Sequence, residues 1–189
     1  NETDEEYDAL LRFATHLALY LDSLSEGSTS ASLFGLMEQK NQLLLQYVRY
    51  LSSRQDLWFM VVVYSSLLPT HIIRAELPNL LTHIESQEER EIIVQKLGEF
   101  LTIEDGLDLD ILLSVISIIF DESEDERLEP DEEEMEDYHD VPEPTLLDER
   151  KMRAVLWLCV NKRHMPEALI VANTLLRQFL VDGNKVSSA

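Results

Sequence analysis

Apolar residues in this chain recur at helical spacing almost from one end to the other. Leu10, Ala14, Leu17 and Leu21 follow one another at steps of 4, 3 and 4 residues, which places them on one face of an α-helix. Related spacings return in Ile92, Ile93, Leu97, Phe100 and Leu101, in Met152, Val155, Leu156 and Cys159, and in Ala168, Ala172, Leu175 and Phe179. Only residues 57–67, LWFMVVVYSSL, are apolar and β-branched enough to read as a buried strand as well as a helix. No second run of that kind exists to pair with it, and a lone strand leaves its backbone N–H and C=O groups unsatisfied. The expected fold is therefore all-α.

Local signals place the helix ends. Gly27 and the cluster from Ser28 to Ser32 break the first helix, and the second is expected over residues 33–53 and the third over 57–67. Pro69 suits the start of a fourth, which continues through residues 71–84 with Pro78 expected to kink or interrupt it. Ser86 and Glu89 form a capping box for the next, whose stripe runs from Ile92 to Leu101. Gly106 precedes a short apolar helix over about residues 109–120. Asn161 to His164 reads as a turn, Pro166 as first-turn proline of the last helix, and Gly183 as its C-terminal cap. About eight helices in antiparallel pairs result. They fit either a closed bundle or a stack of αα-hairpins, an α-solenoid segment, and no fixed-period repeat selects a named repeat family. A chain that opens on Asn1 and ends just after a helix is expected to continue as part of a larger stack.

Charge divides the chain. It has 37 acidic and 15 basic residues, a net charge of −22, but residues 121–149 alone hold 16 acidic residues against one basic residue, Arg127. The remainder has 21 acidic and 14 basic residues, a net of −7, ordinary for a helical protein. With Pro130, Pro142 and Pro144 and few large apolar side chains, burial in the acidic segment cannot offset the entropy of ordering it. The organisation expected is a helical hairpin stack over residues 1–120, a long acidic disordered loop over 121–146, and a final hairpin of the same domain over 147–189.

The same composition excludes several functions. A strongly acidic surface repels nucleic-acid phosphates, so nucleic acid is not an expected partner. One cysteine, Cys159, rules out a disulfide scaffold, and its place in W-L-C-V predicts a buried structural thiol. No run is long and apolar enough to span a bilayer, and no signal-peptide layout opens the chain. His16, His71, His83, His139 and His164 form no metal-binding spacing, and His71 and His83 are twelve residues apart. Asp121, Ser123, Asp125, Arg127, Glu129 and Glu132 fall in an EF-hand frame, but Glu126 stands where its sharp turn needs glycine. No nucleophile motif or phosphate-binding glycine loop occurs, so neither an enzyme nor a cofactor is expected, and no catalytic or metal residue is nominated. Trp58, Phe59, Tyr64 and Trp157 are read as core aromatics. The acidic run gives one alternative: a helical binding module or chaperone for basic proteins.

Three collinear segments carry a family resemblance. LLRFATHLALYLDSL (10–24), YSSLLP (64–69) and AVLWLCVNKRHMPEALIVANTLLRQFLVDGNK (154–185) resemble, in this order, the start of the C-terminal helical region of the 107-kDa nucleoporin family. The last segment is similar in most detail, through Trp157-Leu158, Glu167-Ala168-Leu169, Asn173 and Arg177 with Phe179-Leu180. The resemblance implies a non-enzymatic scaffold role at the nuclear pore, in the stem of its Y-shaped outer-ring complex. It implies a 96-kDa-type nucleoporin as partner on the N-terminal side and a 133-kDa-type nucleoporin on the C-terminal side. It transfers no interface residues.

Overall fold

A computed structural model describes residues 2–25, 32–54, 57–101, 106–128 and 146–186. Its described secondary structure is helical throughout, without a strand, and forms two compact units, Asn1–Leu80 and Leu81–Ala189. Packed helix pairs within each unit are consistent with an α-solenoid type of architecture.

The first unit holds α1 (Glu2–Ser25), α2 (Ser32–Ser52), α3 (Trp58–Ser65) and α4 (Thr70–Leu81), the last ending one residue past the boundary. Successive helices α1, α2 and α3 pack on one another around Leu44, Val48, Val61 and Val62, all almost wholly buried. The run that could have been a strand is α3. Its carbonyls stay within the helix and the turn after it, where Ser66 N–H donates to the Val62 carbonyl. Pro78 neither ends nor divides α4, contrary to expectation. It lies in the last turn, so only the bond to the Arg74 carbonyl is lost, three residues before the helix stops, and its ring is buried.

The second unit holds α5 (Gln87–Phe100), α6 (Leu107–Leu128), α7 (Leu146–Cys159), a 3-10 turn (Lys162–His164) and α8 (Met165–Val186). Ser86 caps α5 as read from the sequence, its hydroxyl accepting from Glu89 N–H at 3.5 Å. Gly106 holds φ at +84°, a left-handed value that suits glycine, and so turns the chain into α6. The Asn161 side chain accepts from Arg163 N–H at 3.0 Å and fixes the turn before α8. The helices α6, α7 and α8 pack in sequence over Trp157, Leu158, Leu112 and Ile111.

Three expectations need correction. The helix expected over 109–120 is α6, which runs on to Leu128, eight residues into the segment expected to be disordered. Basic residues of α7 account for this: Arg150 donates to Glu122 at 2.6 Å and Lys151 to Glu124 at 3.4 Å, while Ser123 is buried and bonds back to the Ile119 carbonyl. Asp121, Ser123 and Asp125 are thus helical and cannot open an EF-hand loop, whose other ligands Glu129 and Glu132 lie outside the described residues. In α8 the helix passes through Gly183 instead of stopping there. The α7 stripe is rotated: Val155 is buried as expected and Ala154, Trp157 and Leu158 join it, whereas Met152, Leu156 and Cys159 are exposed, so the thiol is not a core group. Residues 129–145, the rest of the acidic segment, lie outside the described residues, as does His139.

Candidate interaction surfaces

The sequence nominates no partner-binding residue; exposed apolar rows in the structure supply the candidates. In the first unit, α1 buries Leu11 and Thr15 but turns its Leu10, Leu17 and Leu21 stripe outward. Tyr7, Phe13, Tyr20 and Leu24 extend that stripe, and Phe13 is 66 % exposed. Tyr7 to Leu24 spans five turns of helix, on the order of 25 Å at the helical rise of 1.5 Å per residue. Contiguous exposed apolar residues on this scale mark a surface made to be covered. In the second unit, α8 does the same. Ala168 and Leu175 face inward as expected, Ala172 and Phe179 are half-buried, and Leu169, Ile170, Leu176, Leu180 and Val181 form an outward row.

Behind the α1 stripe, an aromatic cluster ties three helices together. His16 Nδ1 lies 2.6 Å from the Arg12 carbonyl, which can only accept, so Nδ1 carries the proton. His16 Nε2 then accepts from the Tyr64 hydroxyl at 2.8 Å. Tyr47 stands edge-on to Tyr64, with ring centroids 4.9 Å apart. Burial, and then the neighbouring Tyr64, push the Tyr47 phenol above its ordinary value of 10.0. Of the four aromatics expected in the core, Trp58 and Trp157 are buried, Tyr64 is half-buried and Phe59 is exposed.

The second unit carries a cleft of about 430 Å³ lined by the segment Thr82–Glu85, by Arg90 of α5 and by Arg150 and Arg153 of α7. Arg90 is buried and its guanidinium is used structurally. Nε donates to the Ile84 carbonyl at 3.1 Å, one Nη donates to the Arg153 carbonyl at 3.1 Å, and the group lies 5.5 Å from the Trp157 ring. Burial, and then the like charge of Arg153, lower its pKa, opposed by Glu85. His83, on the cleft, is exposed and bonds to its neighbour Thr82 at 3.0 Å, and His71 is an exposed residue of α4. His164 is buried and meets Asp108 of α6 at 3.1 Å, which ties the start of α8 to the start of α6. Among the described residues no group of three His, Cys, Asp or Glu side chains could hold a metal, and no helix is long and apolar enough to cross a membrane.

What these surfaces offer is contact: outward apolar rows on α1 and α8, with the His16–Tyr64 bond behind the first and the buried His164–Asp108 pair at the start of the second. A search of curated proteins returns no match. The family described as Nuclear pore protein 84 / 107 matches residues 1–189. That is the whole length of the chain, including all three resembling segments and the acidic stretch, and the family is one of nuclear pore complex components at the nuclear envelope. The chain belongs to the nuclear pore protein 84/107 family.

Proposed function

We propose that this chain is a scaffold element of the Y-shaped outer-ring complex of the pore, a stem member that supports pore assembly, and with it nucleocytoplasmic transport, through protein–protein contacts. Its partners in this reading are a 96-kDa-type nucleoporin towards the N-terminal side and a 133-kDa-type nucleoporin towards the C-terminal side. The observation that carries it is the outward apolar row of α1, from Tyr7 to Leu24. A helix placed this way contributes buried area only when another element lies along it, which is how stacked helical proteins gain both stability and docking surfaces. No catalytic step is part of this reading.

Capture of the tagged chain from nuclear-envelope extract, at low and high salt, tests it. Y-complex nucleoporins should be retained at high salt, because burial of apolar area is not screened by ions. Phe13→Glu with Leu17→Glu should release them while the helical circular dichroism is kept. Recovery of basic proteins alone, lost at high salt, would replace this reading with that of an acidic binding module.

A further inference from the structure

The cleft beside α5 and α7 has features that the scaffold role leaves unused. Three guanidiniums line it, those of Arg90, Arg150 and Arg153, in a unit whose 27 acidic residues outnumber its 10 basic ones. Arg153 pairs with Glu149 at 3.2 Å and Arg150 with Glu122 at 2.6 Å, and both side chains are partly in solvent. Exposed pairs of this kind contribute little and exchange readily for a better acceptor. Arg90 differs. It is 7 % exposed, yet its hydrogen bonds go to two carbonyls and not to a carboxylate. Of the five N–H donors of a guanidinium, two go to these carbonyls, and Arg90 is one of the residues that line the cleft.

We propose that this cleft binds a phosphoryl group. A compact dianion with three acceptor oxygens matches a buried fork flanked by two more accessible ones, and it adds to the negative charge that Glu85 brings beside Arg90. The lowered pKa of Arg90, caused by burial and then by Arg153 and opposed by Glu85, agrees with a group that gains from added negative charge. Glu85 and Glu149 on the rim, and the acidic excess of the unit, turn away extended polyanions, so a single phosphoryl group is admitted where a nucleic acid is not. The group is either free phosphate or a phosphorylated side chain of another protein. The proposal is independent of the scaffold reading.

The test uses the whole chain, isotope-labelled, in chloride buffer at constant ionic strength. Inorganic phosphate and a short phosphoserine peptide are titrated in while the Arg90 Nε–H and Trp157 indole resonances are followed. Both signals should move and saturate at pH 7.5, and affinity should fall at pH 5.5, where the phosphoryl loses its second charge. Arg153→Gln should weaken binding about tenfold, the loss of one charge-assisted bond, while Lys96→Gln, remote from the cleft lining, should not. Both variants alter surface groups and keep Arg90 in place. Saturation by the peptide well below the phosphate concentration needed assigns the group to a protein, and equal midpoints assign it to the free ion. Shifts that grow without saturating, that chloride reproduces, or that survive Arg153→Gln together with Arg150→Gln unchanged would overturn the site.

Discussion

The two units pack similar aliphatic cores, but buried polar-tipped side chains that help fasten them differ in kind: Tyr47 in the first, Arg90 and Lys151 in the second. In the first, rings join three helices: the Tyr64 hydroxyl donates to His16, Tyr47 stands edge-on to both, and Tyr50 stacks on Tyr47, with the Lys40–Asp22 pair also linking α2 to α1. In the second, cations do it. Arg90 is driven under Trp157 to reach two carbonyls, and Lys151, itself buried, crosses from α7 to Glu124 of α6. Rings fill space and need one partner each, so the first unit gains geometry at low electrostatic cost. A buried cation must be solvated by the protein itself, so the second unit is the more exacting of the two about its neighbours.

Substitution costs the second unit most at Trp157. It is wholly buried, and Trp157→Ala should cost about 3–5 kcal/mol, the range for a core aromatic reduced to alanine. Denaturant unfolding measures it, and an unchanged midpoint would place the ring at a surface. Next comes Arg90→Ala, which strands two carbonyls and uncovers the Trp157 ring. A loss of about 2–3 kcal/mol follows from hydrogen bonds made by a charged group. Arg90→Lys should recover only part of it, since an ammonium cannot span both carbonyls.

Smaller effects sharpen the contrast. Tyr64→Phe removes one neutral hydrogen bond and should cost about 1 kcal/mol. The same cluster gives the first unit an alkaline limit. The folded pKa of Tyr47 is raised, so its contribution is complete below the ordinary value of 10.0 and is lost as pH rises through the folded value. Tyr47→Phe should flatten that loss in a pH series of melting temperatures. Smallest is Glu99 on α5, whose carboxyl is held below its ordinary value of 4.5 by hydrogen bonds from Lys96 and then Gln95. A lowered carboxyl stabilises above its ordinary value and stops doing so as pH falls through the folded one. Glu99→Gln should therefore leave neutral stability almost unchanged and remove only a slight acid dependence.

The helices themselves were legible because periodicity, capping residues and turn residues are local. Ser86 with Glu89, Gly106 and the Asn161 turn all stand where their side-chain chemistry puts them. Which face of a helix turns inward was less legible. Leu10, Leu17 and Leu21 do share a face, but α2 takes the side with Leu11 and Thr15, and a helix apolar on two sides gives no local sign of which neighbour it meets. In α7 the same ambiguity exposed Met152 and Cys159 and buried Lys151. The fastenings were illegible for a different reason. Arg90 meets the Arg153 carbonyl 63 residues away, and His164 meets Asp108 56 residues away. Neither pair has any spacing to read. The acidic helix end of α6 belongs to this class, since composition reports the charge of Glu122 and Glu124 but not the Arg150 and Lys151 that answer it.

The placement of the two tryptophans has a practical consequence. Trp58 sits in the core of the first unit and Trp157 in that of the second, and the chain has no others. Each unit therefore carries its own fluorescent reporter. With Trp58→Phe the emission follows only the second unit through a denaturant series, and with Trp157→Phe only the first. Coincident curves mean that the units melt as one cooperative body. Curves that separate mean that the chain can lose one half of its structure while keeping the other, a joint at which a larger assembly can yield without coming apart.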